Sequence, residues 1–427
     1  MTARVMSEGA GGPAAARARL AEDLRVRGLA GARVSEAFAA VPRHVFLPRE
    51  SATDAYADTA IVTKRDADGL PVSSSTQPAM MAIMLEQLGL AAGHRVLEVG
   101  TGTGYNAAVI AEIVGQPGSV VTIDTAPELV DQARASLAAA GYDRVVVGCG
   151  DGAGGVPDRG PYDRIIVTAG VWELAPPWLA QLAPGGRIVA PTSVRGIQLS
   201  VAFEHAETHW AGRQARRCQF IRMTGLSAGP ETLVPLGAQP GLHALVADGP
   251  APDADRLYEA LSGAAVDAPN PSGLRVGGIA ELADLDLWLA LTEPGLTRLN
   301  LMGRHEGHAN HAQRRVADRM PLGGFARSDG AGRLGLATLA VPSEAEPGDR
   351  DLEVAVHGYG PGGAVLAGHL AERAAVWDGL GRPAAAGLEL NVYPAGTRPE
   401  GEGREGSVII RRPNSVLVAS WPTSAAR

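Results

Sequence analysis

Cysteine is nearly absent from this sequence: of 427 residues only Cys149 and Cys218 carry a thiol, and they form no CxxC pair. That argues against a disulfide framework and against a thiolate zinc site. Any run of about 18 apolar residues, the length a bilayer-spanning helix needs, is missing too, so no membrane partner is expected. The opening stretch MTARVMSEGAGGPAAARARL has arginines but no apolar core before a cleavage site, so nothing in it marks the chain for secretion. There is no excess of positive charge. A formal net charge of −8 removes the general attraction to phosphate backbones, and a nucleic-acid partner is not expected. Lysine is scarce, with Lys64 standing alone; this is a mark of genome composition and says nothing about chemistry. What remains is an ordinary globular balance, 45% hydrophobic and 20% charged, in a chain longer than one core usually organises. Two domains in a cytoplasmic protein are the expectation.

Residues 13–41 place apolar positions at helical spacing until Val41-Pro42-Arg43 interrupts them. From Arg95 onward, short β-branched runs alternate with amphipathic stretches: RVLEVG (95–100), NAAVIAEIV (106–114), SVVTID (119–124), PELVDQARASLAAAG (127–141), RVVVG (144–148), DRIIVTAG (163–170), APPWLAQLA (175–183) and GRIVAP (186–191). Parallel strands need a crossover, and here each crossover is a helix, so the pattern predicts an α/β fold with a doubly wound parallel sheet. The Gly- and Pro-rich stretch 224–241 has no periodicity and predicts a boundary. Strands at 334–340, 351–358, 388–396 and 407–421, with a helix inside 360–383, predict an α+β module after it. The expected division is a helical segment over 1–55, a ligand-binding domain over 56–228 and a C-terminal domain over 229–427.

Glu98-Val99-Gly100-Thr101-Gly102-Thr103-Gly104 ends one predicted strand and opens a helix. Glycines at alternate positions let the backbone turn tightly and approach a ligand that a Cβ would exclude. Asp124 ends the second strand, where a carboxylate can accept both hydroxyls of a ribose. Asp151 and Gly152 follow the third, where an acid can receive an adenine amino group; Asp151 also suits a plain helix cap. Dinucleotide-binding domains share the glycines and the first acid, but with the spacing G-x-G-x-x-G and a pyrophosphate on the helix N-terminus. Here the spacing is G-x-G-x-G behind Glu98, whose charge would repel a pyrophosphate and suits the sulfonium and ammonium groups of S-adenosylmethionine. The expected cofactor is therefore that methyl donor, held by Glu98, Gly100, Thr101, Gly102, Gly104, Asp124, Asp151 and Gly152, in a Rossmann-like class I methyltransferase domain.

Ahead of the first strand, Ser73, Ser74, Ser75, Thr76, Gln77 and Pro78 precede the helical run AMMAIMLEQL. Thr76 reads as its N-cap, and free amides and hydroxyls at such an end make a place for a carboxylate; a flexible serine loop before a capped helix is the plainer alternative. At this point VPRHVFLP (41–48), AYAD (55–58), STQPAMMA (75–82), VLEVGTGTGY (96–105), GDG (150–152), YDRIIVTAG (162–170) and LAPGGRIVAP (182–191) together resemble the protein-L-isoaspartate O-methyltransferase family over about residues 35–225. The resemblance implies methylation of a side-chain carboxylate on a peptide or protein. It implies Thr76 where the family has its substrate-side serine. Ser75 is the expected helper of Thr76, with Ser74, Gln77 and Trp172 along the substrate groove; packing on the sheet is the plainer alternative for Trp172.

The departures are specific: three serines precede Thr76, the family's Ala-Pro-rich segment after the fourth strand becomes Gly170-Val171-Trp172-Glu173, and about 200 residues follow. These resemble the divergent branch that accompanies ribosomally made, modified peptides (lanthipeptides of the FxLD type, graspetides and lasso peptides) and methylates an ordinary aspartate, opening a route to succinimide and isoaspartate. Repair of isoaspartate in damaged proteins is the alternative, and a catalytically silent peptide-binding protein a third. His305, His308 and His311 lack the HExxH spacing, and no metal site is expected.

Overall fold

The computed structural model describes residues 12–67, 69–236, 243–246, 251–268, 273–293, 295–302, 324–328, 332–341, 351–400 and 406–422. His305, His308 and His311 lie outside them. Helices α1 (Pro13–Val26) and α2 (Ala32–Ala40) open the chain, followed by a single turn, α3 (Ala52–Ala55). A hairpin of β1 (Ile61–Arg65) and β2 (Pro71–Ser75) leads into α4 (Pro78–Leu88). Strand and helix then alternate through β3 (Arg95–Val99), α5 (Tyr105–Val114), β4 (Ser119–Asp124), α6 (Pro127–Ala139) and β5 (Val146–Cys149). Next come β6 (Tyr162–Val167), α7 (Pro176–Ala180), β7 (Leu182–Val194), β8 (Ile197–His205) and β9 (Trp210–Cys218).

Strands β5, β4, β3, β6 and β7 lie side by side in that order and all pair parallel. Val96, Leu97 and Val99 are buried although successive side chains point to opposite faces, as a strand between two helical layers requires. Since β3 has β4 on one side and β6 on the other, the order reverses at its carboxyl end, which opens the crevice where such sheets bind ligands. The predicted helical segment is joined to this unit: Leu24 and Phe38 share one core with Tyr105, Ile110 and Val130.

The remainder adds β10 (Thr232–Pro235), β11 (His243–Val246), α8 (Ala254–Ser262), β12 (Val266–Ala268), β13 (Arg275–Val276), α9 (Ile279–Thr292), β14 (Thr297–Met302), β15 (Gly324–Ser328) and β16 (Leu334–Ala340). It ends with β17 (Leu352–Glu353), β18 (Ala355–Tyr359), α10 (Gly363–Gly379), β19 (Glu389–Pro394), β20 (Ser407–Arg411) and β21 (Ser415–Ser420). The segment after residue 229 is divided among three sheets, of which the smallest is the antiparallel pair β13 and β17. Strands β10, β11, β14, β15, β16, β18 and β12 form an antiparallel seven-stranded sheet. Strands β19, β21 and β20 instead continue past β7, β8 and β9, making a ten-stranded sheet with the parallel half. One core accordingly holds Leu97, Ile165 and Trp178 together with Trp288 of α9, Trp377 of α10 and Leu417 of β21. Sequence periodicity names the strands but not their partners, which is why β19–β21 read as part of a separate module.

Candidate active site

The glycine loop follows β3 directly. Gly100 has φ +102°, and a Cβ there would stand 2.6 Å from Thr168 Oγ1; that hydroxyl donates to Gly100 O at 2.7 Å. Gly104 has φ +86° and stands at the N-terminus of α5, closing against Ala133 and Leu137. At Gly152 a Cβ would meet Val99 Cγ1 at 2.6 Å, while Gly152 O accepts from Trp178 Nε1 at 2.7 Å. A cradle that any larger residue would fill fits a nucleoside-bearing cofactor pressed against backbone.

Each expected acid has a defined place. Asp124 Oδ2 accepts from Gly102 N at 2.9 Å, so this carboxylate itself shapes the loop. Glu98 is completely buried: its oxygens accept from Asn106 Nδ2 and Thr122 Oγ1, each at 2.7 Å, and Thr122 Oγ1 lies 2.8 Å from Thr101 Oγ1. Burial pushes its carboxyl up to about 7. Glu98, expected beside the cationic groups of the cofactor, is held in a hydrogen-bond network beneath the loop. Asp151 caps the short turn Gly152–Gly154 through Ala153 N (2.9 Å), and its other oxygen accepts from Leu226 N (3.0 Å). The cap reading of Asp151 holds, and a second backbone donor is added to it.

On the substrate side the helix begins one residue later than expected. Gln77, not Thr76, is the N-cap of α4, and it makes no side-chain cap bond. Pro78 at the first helical position fixes the entry, and the cap is supplied from elsewhere: Asp58 Oδ1 accepts from Ala79 N at 2.8 Å, and Asp58 O from Gln77 Nε2 at 3.0 Å. Alternation along β2 sorts the serines. Ser73 and Ser75 are buried, Ser73 Oγ accepting from Thr63 Oγ1 at 3.0 Å, whereas Ser74 and Thr76 are half-buried. Ser75 therefore sits on the inner face, and Ser74 is the serine that shares a face with Thr76. Gly102 brings the two loops together, since a Cβ there would lie 3.5 Å from Ser74 O.

Arg43 was not singled out by sequence. It is fully buried, donates through Nη2 to Thr76 O at 3.1 Å and lies over the Tyr105 ring at 5.2 Å; burial holds its pKa below the usual arginine range. Its motif, VPRH, was visible, but its burial was not. Trp172 and Glu173 face the C-terminal strands: Arg412 stacks over the Trp172 ring at 5.2 Å, and Glu173 accepts from Asn414 N and Nδ2 and from Ser415 Oγ at 3.1, 3.0 and 2.5 Å. No cluster of His, Cys, Asp and Glu able to hold a metal occurs among the described residues.

The family described as Protein-L-isoaspartate(D-aspartate) O-methyltransferase (PCMT) matches residues 15–228. A protein-L-isoaspartate O-methyltransferase of Methanopyrus kandleri is 43% identical over 213 residues, 49% of this chain and 92% of that protein. Protein-L-isoaspartate O-methyltransferase 2 of Archaeoglobus fulgidus is 47% identical over 178 residues, 41% of this chain and 77% of that one. A solved structure of a protein-L-isoaspartate O-methyltransferase is similar over 88% of this chain and 96% of that one, with 24% identity and a TM-score of 0.48. The glycine cradle at the reversal point of the sheet and strand β2 beside it both lie within the matched residues, and the chain belongs to the protein-L-isoaspartate O-methyltransferase family, carboxyl methyltransferases that use S-adenosylmethionine.

Proposed function

We propose that the chain esterifies an aspartate side-chain carboxylate in a ribosomally made, modified peptide. When bound, S-adenosylmethionine supplies a methyl group on a positively charged sulfur. Gly100, Gly102, Gly104 and Gly152 leave room for it, Asp124 accepts from its ribose, and Glu98 with Thr122 and Asn106 holds the loop in shape. A carboxylate is already ionised at neutral pH and needs no general base. The protein's task is alignment in a site that excludes water. Thr76, with Ser74 on the same face, donates to the carboxylate, while Arg43 holds the Thr76 carbonyl and so the direction of the hydroxyl. In the ester product the following backbone nitrogen attacks the carbonyl carbon, the C–OCH3 bond breaks and methanol leaves with the nitrogen's proton. That gives a succinimide without a dedicated residue, and water can open it to isoaspartate.

The observation that supports a peptide-specific role is the meeting of Trp172 and Glu173, in the loop after β6, with Arg412, Asn414 and Ser415 of the C-terminal strands. Repair of isoaspartate is the second reading, favoured by the names of the relatives. The full chain is to be incubated with S-adenosylmethionine and two generic linear peptides, one with isoaspartate and one with aspartate, and with modified peptides encoded beside its gene. A mass gain of one methyl on a neighbouring peptide alone upholds the first reading. Methylation of the generic isoaspartyl peptide alone upholds the second, and no methylation of any rejects both.

A further inference from the structure

Arg43 opens a single 3-10 turn, Arg43–Phe46, and no part of it reaches solvent. Of its donors only Nη2 is used, toward Thr76 O at 3.1 Å, while Nε and Nη1 are buried with no hydrogen-bond partner among the described residues. The guanidinium lies over the Tyr105 ring at 5.2 Å. The carboxylate whose charge reaches it, Asp58, makes no hydrogen bond to it: one Asp58 oxygen accepts from Ala79 N and the other from Arg27 Nη1, each at 2.8 Å. We infer that Arg43 is the buried counter-charge for the substrate carboxylate, a positioning residue that makes the site take an ionised side chain and refuse its neutral amide or ester; the inference rests on Thr76 receiving that carboxylate, as proposed above.

Burying a cation with no anion against it costs more than one hydrogen bond to a carbonyl returns. A methionine would fill the same space beside Tyr105 without that cost, and a neutral amide could hold the Thr76 carbonyl, so neither packing nor the hydrogen bond accounts for the charge. Its place does. Nη2 is 3.1 Å from Thr76 O. A threonine carbonyl oxygen and its own hydroxyl lie about 4 Å apart, and a carboxylate bound to that hydroxyl adds about 2.7 Å. The two charges thus come within about 10 Å, where an effective dielectric of about 20 gives roughly a tenfold preference for the charged ligand.

Methyl transfer removes that attraction. The carboxylate oxygen bonds the methyl carbon while the electron pair of the breaking C–S bond stays with sulfur, so the acceptor leaves as a neutral ester. Arg43 therefore favours binding of the acid and release of the ester. Its charge acts on substrate affinity rather than on the transfer step, since the negative charge that it attracts is fading as the methyl moves.

The test uses the full chain with S-adenosylhomocysteine and labelled peptides in two pairs, isoaspartate against its amide and aspartate against asparagine. Fluorescence anisotropy reads the ratio of dissociation constants within each pair. In at least one pair the wild type is expected to bind the acid about tenfold more tightly, with the same ratio at about pH 6 and about pH 9. Arg43→Lys isolates the charge, because an amine can donate to Thr76 O with or without its extra proton. Burial lowers the guanidinium, and it is expected to lower an amine in the same place from about 10.4 into that range. Since Lys64 is the single lysine of the chain, labelled-lysine NMR resolves the titration of the introduced one. The preference of Arg43→Lys for the acid is expected to be present while the amine is protonated and to fall toward one as it loses the proton. Arg43→Met is expected to keep the ratio near one throughout; should it fail to fold, the lysine titration decides alone. A ratio in Arg43→Lys that stays level through that titration overturns the inference, as does a wild type that binds acid and amide alike or binds none of the four peptides. Methylation of the same peptides is followed separately. An acid preference that tracks the charge without methyl transfer would reject the proposed reaction and leave the counter-charge standing, whereas transfer with a level ratio would do the reverse.

Discussion

Thr76 occupies the junction where β2 gives way to α4, and the direction of its hydroxyl depends on two neighbours that sequence spacing does not join to it. Asp58 caps the helix that follows, and Arg43 grips the Thr76 carbonyl. Removing the hydroxyl with Thr76→Ala is expected to lower turnover about a hundredfold while the dissociation constant for S-adenosylmethionine stays put, because alignment is lost and the glycine cradle is not. Steady-state methylation beside calorimetry of cofactor binding separates the two. Glu98 gives a second prediction at this scale. Its carboxyl, normally near 4.5, is pushed up to about 7 by burial, so the folded protein holds a proton that the unfolded chain has released between those values. Stability from this residue therefore falls as pH rises from about 4.5 to 7, by roughly 3 kcal/mol in all. Glu98→Gln is expected to melt progressively higher than wild type as pH goes from 5 to 8. Equal differences in melting temperature at both ends would count against the buried carboxyl as the cause.

The glycine loop is shaped by an element that lies beside it. Asp124, at the end of β4, binds the Gly102 amide, so the carboxylate that orders the loop is the one proposed to receive the ribose. Asp124→Ala is expected to weaken cofactor binding tenfold to about a hundredfold, in line with one or two charge-assisted hydrogen bonds, with a smaller change in turnover at saturating cofactor. A turnover defect alone would remove Asp124 from the cofactor site. The hairpin β1–β2 is tied to the same region, since Lys64, the single lysine of the chain, pairs with Glu128 in the first turn of α6. Loop, hairpin and helix thus meet at one end of the sheet. Strand and helix periodicity made these elements legible, because a buried strand and an amphipathic helix repeat differently in sequence.

Across the whole molecule the C-terminal strands do not stand apart. Strands β19–β21 cover the edge that β9 would otherwise expose, and the buried Asp286 of α9 bonds Arg217 of β9 at 3.0 Å and Arg298 of β14 at 2.6 Å. Asp286→Ala leaves two guanidinium groups without that counter-charge and is expected to cost about 3–5 kcal/mol, read as a lower urea midpoint. Loss of less than about 1 kcal/mol would show that water compensates the arginines. Deleting everything after residue 235 would uncover the β9 edge and part of the shared core, so tests of substrate recognition belong on point variants of the full chain.

The order of strand and helix, the glycine loop, and the places of the acids after the second and third strands and of the serines before α4 could be read in sequence, because each is a local pattern of neighbouring residues. The inward turn of Ser75, the capping of α4 by Asp58, the burial of Glu98 and Arg43, and the union of Trp172 and Glu173 with a hairpin some 240 residues away were decided by tertiary structure. They depend on which strand lies beside which and which face turns inward. Those choices come from the pairing of distant edges and the closure of a common core, and neither leaves a period in the chain.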